Sequence, residues 1–168
     1  MTNPLSHISL KNPWHLLATG FGSGLSPIIP GTMGTLASIP FYLLLVQLPF
    51  PIYVILVVVS CIIGIKICQV TSDDMGVHDH GSIVWDEFAG FWITMSLVPL
   101  LGIPVNDWKW LLVGFVLFRF FDMVKPWPIG WLDKRVHGGL GIMIDDIVAG
   151  IMAAISLYAV AYFSGWLV

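Results

Sequence analysis

Hydrophobic and polar positions are arranged along this chain in long blocks rather than in alternation. Five apolar stretches, at 33–48, 52–68, 84–101, 108–121 and 142–168, are each bounded by turn chemistry. Pro49 and Pro51 separate the first two, and a polar segment at 71–81 precedes the third. Gly102, Pro104, Asn106 and Asp107 form the next turn, and 125–141 is a polar stretch rich in Gly and Pro. No stretch alternates like a half-buried strand, and the continuous apolar runs at 43–46 and 54–59 sit in contexts too long for sheet cores. The pattern predicts an all-α bundle of about five main helices in a single domain over 1–168, with no internal repeat. A bilayer span needs ~20 apolar residues, with ~17 as the lower limit. Several stretches are at or under that bound, so some helices are expected to be short, tilted or only partly inserted, the first and fourth above all.

Composition moves this bundle into the membrane. The 168 residues are 57% hydrophobic and 10% charged, with a mean hydropathy of +0.90, and so few charges cannot cover a water-exposed surface. The net charge is -3 and the 7 Lys and Arg are scattered. No basic stripe is present to neutralise a nucleic-acid backbone, and nucleic acid is not an expected partner. Residues 1–17 mix Asn3, Pro4, His7, Lys11, Asn12 and Pro13 with apolar residues and do not read as a signal peptide. If five helices alternate in direction, Lys11, Lys66, Arg119, Lys125, Lys134 and Arg135 fall on one side and only Lys109 on the other. The positive-inside rule makes the rich side cytoplasmic. Cys61 and Cys68 lie two helical turns apart, roughly 10 Å, too far for an internal bridge.

Five carboxylates, Asp86, Glu87, Asp122, Asp145 and Asp146, sit in or against these apolar runs, and all fall at the cytoplasmic face in the alternating arrangement. An ionised carboxylate there loses hydration that only a cation, a metal or several donors can replace. The helix dipole favours acids in a first turn, which covers Asp86 or Glu87 taken alone. It disfavours Asp122 at a helix C-terminus and does not explain three acidic clusters together. Acids outnumber nearby bases, which points to a hard divalent ion of the Mg²⁺ type. Zinc is disfavoured, because His and Cys do not occur at its spacings. His78 and His80, two apart, fit either a loop role or substrate handling. Arg119 lies one turn before Asp122 and Lys125 follows. Cations beside a carboxylate-bound metal suit a phosphate, although an i,i+3 ion pair would also account for Arg119. The Gly-rich segment at 20–35 leads into the first apolar helix, where free N–H groups bind anions, but a Gly-Pro segment before a helix is usually only a turn and no Gly-Lys-Ser or Gly-Lys-Thr follows.

Four blocks, taken in order, resemble the phosphatidylglycerophosphatase A family: Ser26-Pro-Ile-Ile-Pro-Gly-Thr-Met-Gly-Thr35, His78-Asp-His-Gly-Ser-Ile-Val-Trp-Asp-Glu-Phe-Ala-Gly90, Arg119-Phe-Phe-Asp-Met-Val-Lys-Pro-Trp-Pro128 and Gly138-Gly-Leu-Gly-Ile-Met-Ile-Asp-Asp-Ile-Val-Ala-Gly150. The resemblance implies a helical, multi-pass enzyme of the bacterial inner membrane. Its implied activity is Mg²⁺-dependent removal of the terminal phosphate of phosphatidylglycerophosphate, a phospholipid, to give phosphatidylglycerol. It carries function onto Asp79, Asp86, Glu87, Asp122, Lys125, Asp145 and Asp146, with Thr32 and Thr35.

On that basis Asp86, Glu87, Asp122 and Asp146 are expected to hold one or two Mg²⁺, and Arg119 and Lys125 to stabilise phosphoryl oxygens. Gly31, Thr32, Gly34 and Thr35 are expected to orient the phosphate, with Asp145 or Asp79 as general acid. Trp127 and Trp131 fit either interfacial anchors or ordinary burial. The competing reading is an ion-coupled carrier, which would place acids near mid-membrane and commonly show inverted repeats.

Overall fold

The computed structural model describes residues 4–166; Asn3 and the last two residues of the fifth apolar run, Leu167 and Val168, lie outside the described residues. Seven α-helices and three short 3₁₀ turns make up the described chain, which contains no strand. The helices are α1 (Pro13–Ala18), α2 (Pro30–Leu45), α3 (Phe50–Met75), α4 (Trp85–Met95), α5 (Trp108–Val124), α6 (Ile129–Asp133) and α7 (Gly138–Phe163). The all-α expectation holds, and α2, α3, α4, α5 and α7 are the five main helices.

Where sequence and structure differ, local chemistry supplies the reason. The polar segment at 71–81 was expected as a turn, yet α3 continues to Met75 because nothing breaks it before Gly76, whose left-handed φ of 65° closes the helix. The stretch at 84–101 is interrupted: α4 stops at Met95, and Pro99 opens a separate 3₁₀ turn, Pro99–Leu101. The polar stretch at 125–141 holds α6 and the first turn of α7. Gly139 is there for packing, since a Cβ on it would run into the Ile65 carbonyl of α3. The short α1 is started by Asn12, whose side chain accepts from Trp14 N at 3.0 Å.

α7 is the central element and packs on α3, α4, α5 and α6. Small residues set how closely it sits. A Cβ on Gly150 would meet the Gly90 carbonyl at 2.5 Å, and one on Gly90 would meet the Asp146 carbonyl at 2.8 Å. α4 and α7 therefore touch backbone to backbone, as small residues permit in apolar surroundings. Side-chain contacts fix the directions: Trp85 Nε1 donates to Ser60 O and Tyr53 Oη to Trp92 O, so α3 and α4 are antiparallel. Phe118 and Met95 pack against Gly90 and Gly114, so α5 also opposes α4. The main helices run alternately up and down, and the start of α4, the end of α5 and the early turns of α7 share one end.

α3 and α7 are each 26 residues long and apolar enough to cross a membrane. α3 exposes Ile55, Val58, Ile62 and Ile63 on its outer face. The buried core lies between α4 and its neighbours, with Phe88, Phe91, Met95, Phe118 and Met143 fully enclosed.

Candidate active site at one end of the bundle

Asp86 and Glu87 occupy the first turn of α4. Adjacent residues on a helix diverge by ~100°, which would send them to different sites in mid-helix. At the helix start both carboxylates stay with Asp146 of α7, and the three offer ligand oxygens that all lie within 4.8 Å of one another. One oxygen of each, Asp86 Oδ1, Glu87 Oε2 and Asp146 Oδ2, is buried with no hydrogen-bonding partner. Three carboxylates with unpartnered oxygens form a cluster that can hold a metal ion. An all-oxygen, anionic donor set suits a hard divalent cation, and the residues fit a Mg²⁺-type ion on that chemistry.

Asp122, in the last turn of α5, lies beside this trio rather than within it. Its carboxylate is near enough for its charge to act on Asp146, and it pairs with Arg119 Nη1 at 2.5 Å. The i,i+3 pair expected from the sequence is therefore present, but it is part of the site, because the same Arg119 Nη1 is 3.8 Å from Glu87 Oε1. Arg119 bridges the α5 and α4 acids.

Asp145 faces a different partner. It accepts from Lys125 Nζ at 2.6 Å, and Asp133 of α6 accepts from the same Nζ at 2.7 Å. Burial pulls the Lys125 ammonium down, but the two carboxylates outweigh it and leave its pKa raised. Lys125 adopts a left-handed φ of 46° as it closes α5, which turns the chain toward α6. Asp133 was not singled out from the sequence. Its spacing from Lys125 has no periodic signature, because the two meet only through the turn between α5 and α6.

The Gly-rich segment reaches the same place. A Cβ on Gly31 would collide with Glu87 Oε1 and would sit 3.2 and 3.3 Å from the two terminal nitrogens of Arg119. Gly31 is thus where the first turn of α2 presses on the cluster. Thr32 follows in that turn and is half-buried. Gly34 packs on Val84, just before the α4 acids, and Thr35 is fully buried with its hydroxyl donated to Gly31 O at 3.0 Å. Gly34 and Thr35 shape the turn from behind.

Asp79 stands on the exposed loop before α4 with a left-handed φ of 50°. It lies outside the trio, close enough for Asp86 and Asp145 to feel its charge. His78 and His80 take loop roles: His78 Nε2 accepts from Gly138 N at 2.8 Å, and His80 Nδ1 accepts from Ser82 N at 3.2 Å. Trp127 is 81% exposed, and Arg135 lies 4.5 Å above the Trp131 ring. Cys61 and Cys68 are free thiols on α3.

The sequence profile of the phosphatidylglycerophosphatase A family matches residues 16–161, which span every element of the site. The chain is 59% identical over 157 residues to the phosphatidylglycerophosphatase A of Escherichia coli (strain K12), covering 94% of this chain and 88% of that protein. It is 50% identical over 161 residues to the phosphatidylglycerophosphatase A of Haemophilus influenzae, covering 95% of this chain and 96% of that protein. A Bacteroides thetaiotaomicron protein named as a candidate phosphatidylinositol-3-phosphatase is 42% identical over 153 residues, covering 87% of this chain and 91% of that protein. No solved structure matches. With carboxylates, Arg119, Lys125 and the α2 turn gathered at one end of a matching helical bundle, the chain belongs to the phosphatidylglycerophosphatase A family of phosphatases.

Proposed function

We propose that this chain hydrolyses the terminal phosphomonoester of phosphatidylglycerophosphate to give phosphatidylglycerol and phosphate, using Mg²⁺ held by Asp86, Glu87 and Asp146 with Asp122 beside them. The observation that carries this reading is the trio of carboxylates within 4.8 Å, each with a buried unpartnered oxygen, set against Arg119 and the first turn of α2. The relatives named for this activity cover nearly the whole chain. When bound, Mg²⁺ supplies positive charge to the phosphoryl oxygens and acidifies water.

The chain's own residues do the rest. Arg119, already paired with Asp122 and near Glu87, presents the guanidinium that takes up charge on the non-bridging oxygens. Lys125 adds a second cation, fixed by Asp133 and Asp145 so that it needs no reorganisation when substrate arrives. The first N–H groups of a helix have no intrahelical partner, and those of Gly31 and Thr32 belong to the turn that meets the cluster, where a helix start suits an anion. Asp145 is committed to Lys125, which leaves Asp79 on its exposed loop as the carboxylate that can pass a proton from solvent water to the leaving glycerol oxygen.

The setting is the bacterial inner membrane, crossed more than once, with the site facing the cytoplasm. The two long apolar helices support this, as does the gathering of Arg119, Lys125, Lys134 and Arg135 at the site end. The exposed Trp127 beside that end suits the headgroup level of a bilayer. A lipid phosphate projects only a short way from the interface, which a site at helix ends can reach. The carrier alternative loses its basis, because the acids gather at one end and the chain is of a phosphatase family.

The test is phosphate release by purified protein from phosphatidylglycerophosphate, phosphatidylinositol 3-phosphate, phosphatidic acid and a soluble phosphomonoester, each with Mg²⁺ or with EDTA. Mg²⁺-dependent release favouring phosphatidylglycerophosphate is expected. No release from it, or release unaffected by EDTA, would overturn the reading, and preference for the inositol lipid would reassign the headgroup.

A further inference from the structure

An open groove of about 290 Å³ runs between α2 and α5, lined by Leu36, Ile39, Trp108, Leu111, Leu112 and Phe115. Its register ties it to the site. On α2, Thr32, Leu36 and Ile39 follow the i, i+4, i+7 spacing of a single face. On α5, Arg119, Phe115, Leu112, Leu111 and Trp108 recede from the site at i−4, i−7, i−8 and i−11, again one face. The two stripes therefore begin where Gly31 and Arg119 meet beside Glu87, and the next positions along each face away from it are apolar. At ~1.5 Å per residue, Arg119 to Trp108 covers roughly 16 Å and Thr32 to Ile39 roughly 10 Å. The hydrocarbon of a single leaflet is about 15 Å deep, half of the ~30 Å core.

We propose that this groove holds one acyl chain of the lipid whose phosphate occupies the carboxylate site. The assignment rests on the phosphatase reading above and adds the substrate's second anchor. All six lining side chains are hydrophobic, so the groove suits a hydrocarbon chain rather than an extended peptide or a sugar, which would need hydrogen-bonding partners. Leu36, Leu112 and Trp108 remain 45%, 52% and 67% exposed, so the groove opens sideways and a chain can enter from the bilayer without leaving it. The geometry places the head group at Arg119 and the chain end near Trp108, and chain binding then holds the phosphate over the acids.

Leu36→Trp and Leu112→Trp each fill the groove from an exposed position, and Ile62→Trp on the outer face of α3, 63% exposed, is the matched control. In detergent micelles, phosphate release is measured from a long-chain phosphatidylglycerophosphate and from a short-chain, water-soluble version. At least a tenfold fall in kcat/KM on the long-chain lipid, mostly as raised KM, is expected for both groove variants. Turnover of the short-chain lipid should stay within twofold of wild type, and Ile62→Trp should leave both unchanged. A long-chain phosphatidylglycerophosphate carrying a terminal diazirine should label the 108–112 peptide, with labelling suppressed by excess unlabelled substrate and by Leu112→Trp. Equal losses on long and short chains, or labelling indifferent to competitor, would overturn the assignment. So would groove variants that change the oligomeric mass while keeping long-chain turnover, since a second copy of the chain would then own the groove. No release by the wild-type protein from either lipid would overturn the phosphatase reading itself, and the groove assignment with it.

Discussion

Replacing Gly31 with Ala adds one methyl group, and the structure and helix propensity disagree about its effect. Within a helix, Gly→Ala is favourable by up to about 1 kcal/mol, and Gly31 is in the first turn of α2 without a left-handed φ. Propensity alone makes the variant neutral or slightly more stable. The site makes it damaging, because the new Cβ would overlap Glu87 Oε1 and press at 3.2 and 3.3 Å on the terminal nitrogens of Arg119. Restoring ordinary contact requires the Glu87 carboxylate to retreat by about 1 Å, and a misplacement of that size costs on the order of 100-fold in rate, equivalent to about 2.7 kcal/mol of barrier. Gly31→Ala is therefore expected to keep its Tm at or above wild type while kcat for lipid phosphate release falls roughly 100-fold. The Mg²⁺ concentration for half-activation should rise, since a proposed ligand has moved. Steady-state kinetics across a Mg²⁺ titration, with thermal unfolding in the same detergent, reads all three. Turnover within twofold of wild type at unchanged Mg²⁺ demand would refute the claim that the α2 turn and the acid cluster form one site.

Asp86→Asn and Asp146→Asn remove charge from the cluster and should insert and fold normally while losing 10³-fold or more of Mg²⁺-dependent release, a loss of about 4 kcal/mol in transition-state stabilisation; isotopic phosphate release with EDTA controls checks this, and near wild-type turnover in both would remove the metal assignment. Lys125→Met leaves Asp145 without its cation and should lower stability by about 2 kcal/mol, below the range for a fully buried pair because the Lys125 side chain is 29% exposed. Chemical denaturation measures that cost, and Lys125→Arg should recover most of the stability but less of the activity, because a planar guanidinium does not reproduce a point ammonium. Gly150→Ala pushes a methyl onto the Gly90 carbonyl at 2.5 Å and should cost about 1–3 kcal/mol by overpacking, read as a lower Tm together with reduced turnover; an unchanged Tm would mean that α4 and α7 can part without consequence.

The blocks of apolar residues were sufficient to place five main helices, because each is long enough for its pattern to outweigh its ends. Boundaries were less legible wherever a polar residue is compatible with helix. Thr71, Ser72, Asp73 and Asp74 look like a loop by composition but continue α3, since only Gly76 supplies the conformation that stops it. The gathering of acids was readable from their cost in apolar surroundings, and Asp86, Glu87 and Asp146 do meet. What the sequence did not reveal was how the acids divide among partners. Asp133 joins Lys125 through the α5–α6 turn, a contact no linear spacing announces. A usable signal was present for the helix crossing: Gly90 lies one turn after Glu87 and Gly150 one turn after Asp146, each on the face of its acid. A small residue there lets the two backbones close and brings the acids together.

The doublet Asp145-Asp146 shows how adjacent identical residues acquire separate tasks. Neighbours in mid-helix point ~100° apart, so they cannot both enter the cluster as Asp86 and Glu87 do from a helix start. Asp146 turns to α4 and the unpartnered oxygens there, while Asp145 turns to Lys125. The same ~100° that separates the side chains keeps the cation off the unpartnered oxygens of the cluster, so Lys125 does not quench it by direct pairing with Asp146. Its charge remains beside the site, anchored by two acceptors, where a phosphate can meet it. Arg119 is arranged differently, pairing with Asp122 outside the trio and lying 3.8 Å from Glu87 at its edge. With both cations at the border, the centre keeps an excess of negative charge suited to a divalent ion, and the borders keep positive charge suited to phosphoryl oxygens. The metal-assisted reaction proposed here needs that separation, and in this chain it follows from helix geometry acting on the order of a few neighbouring residues.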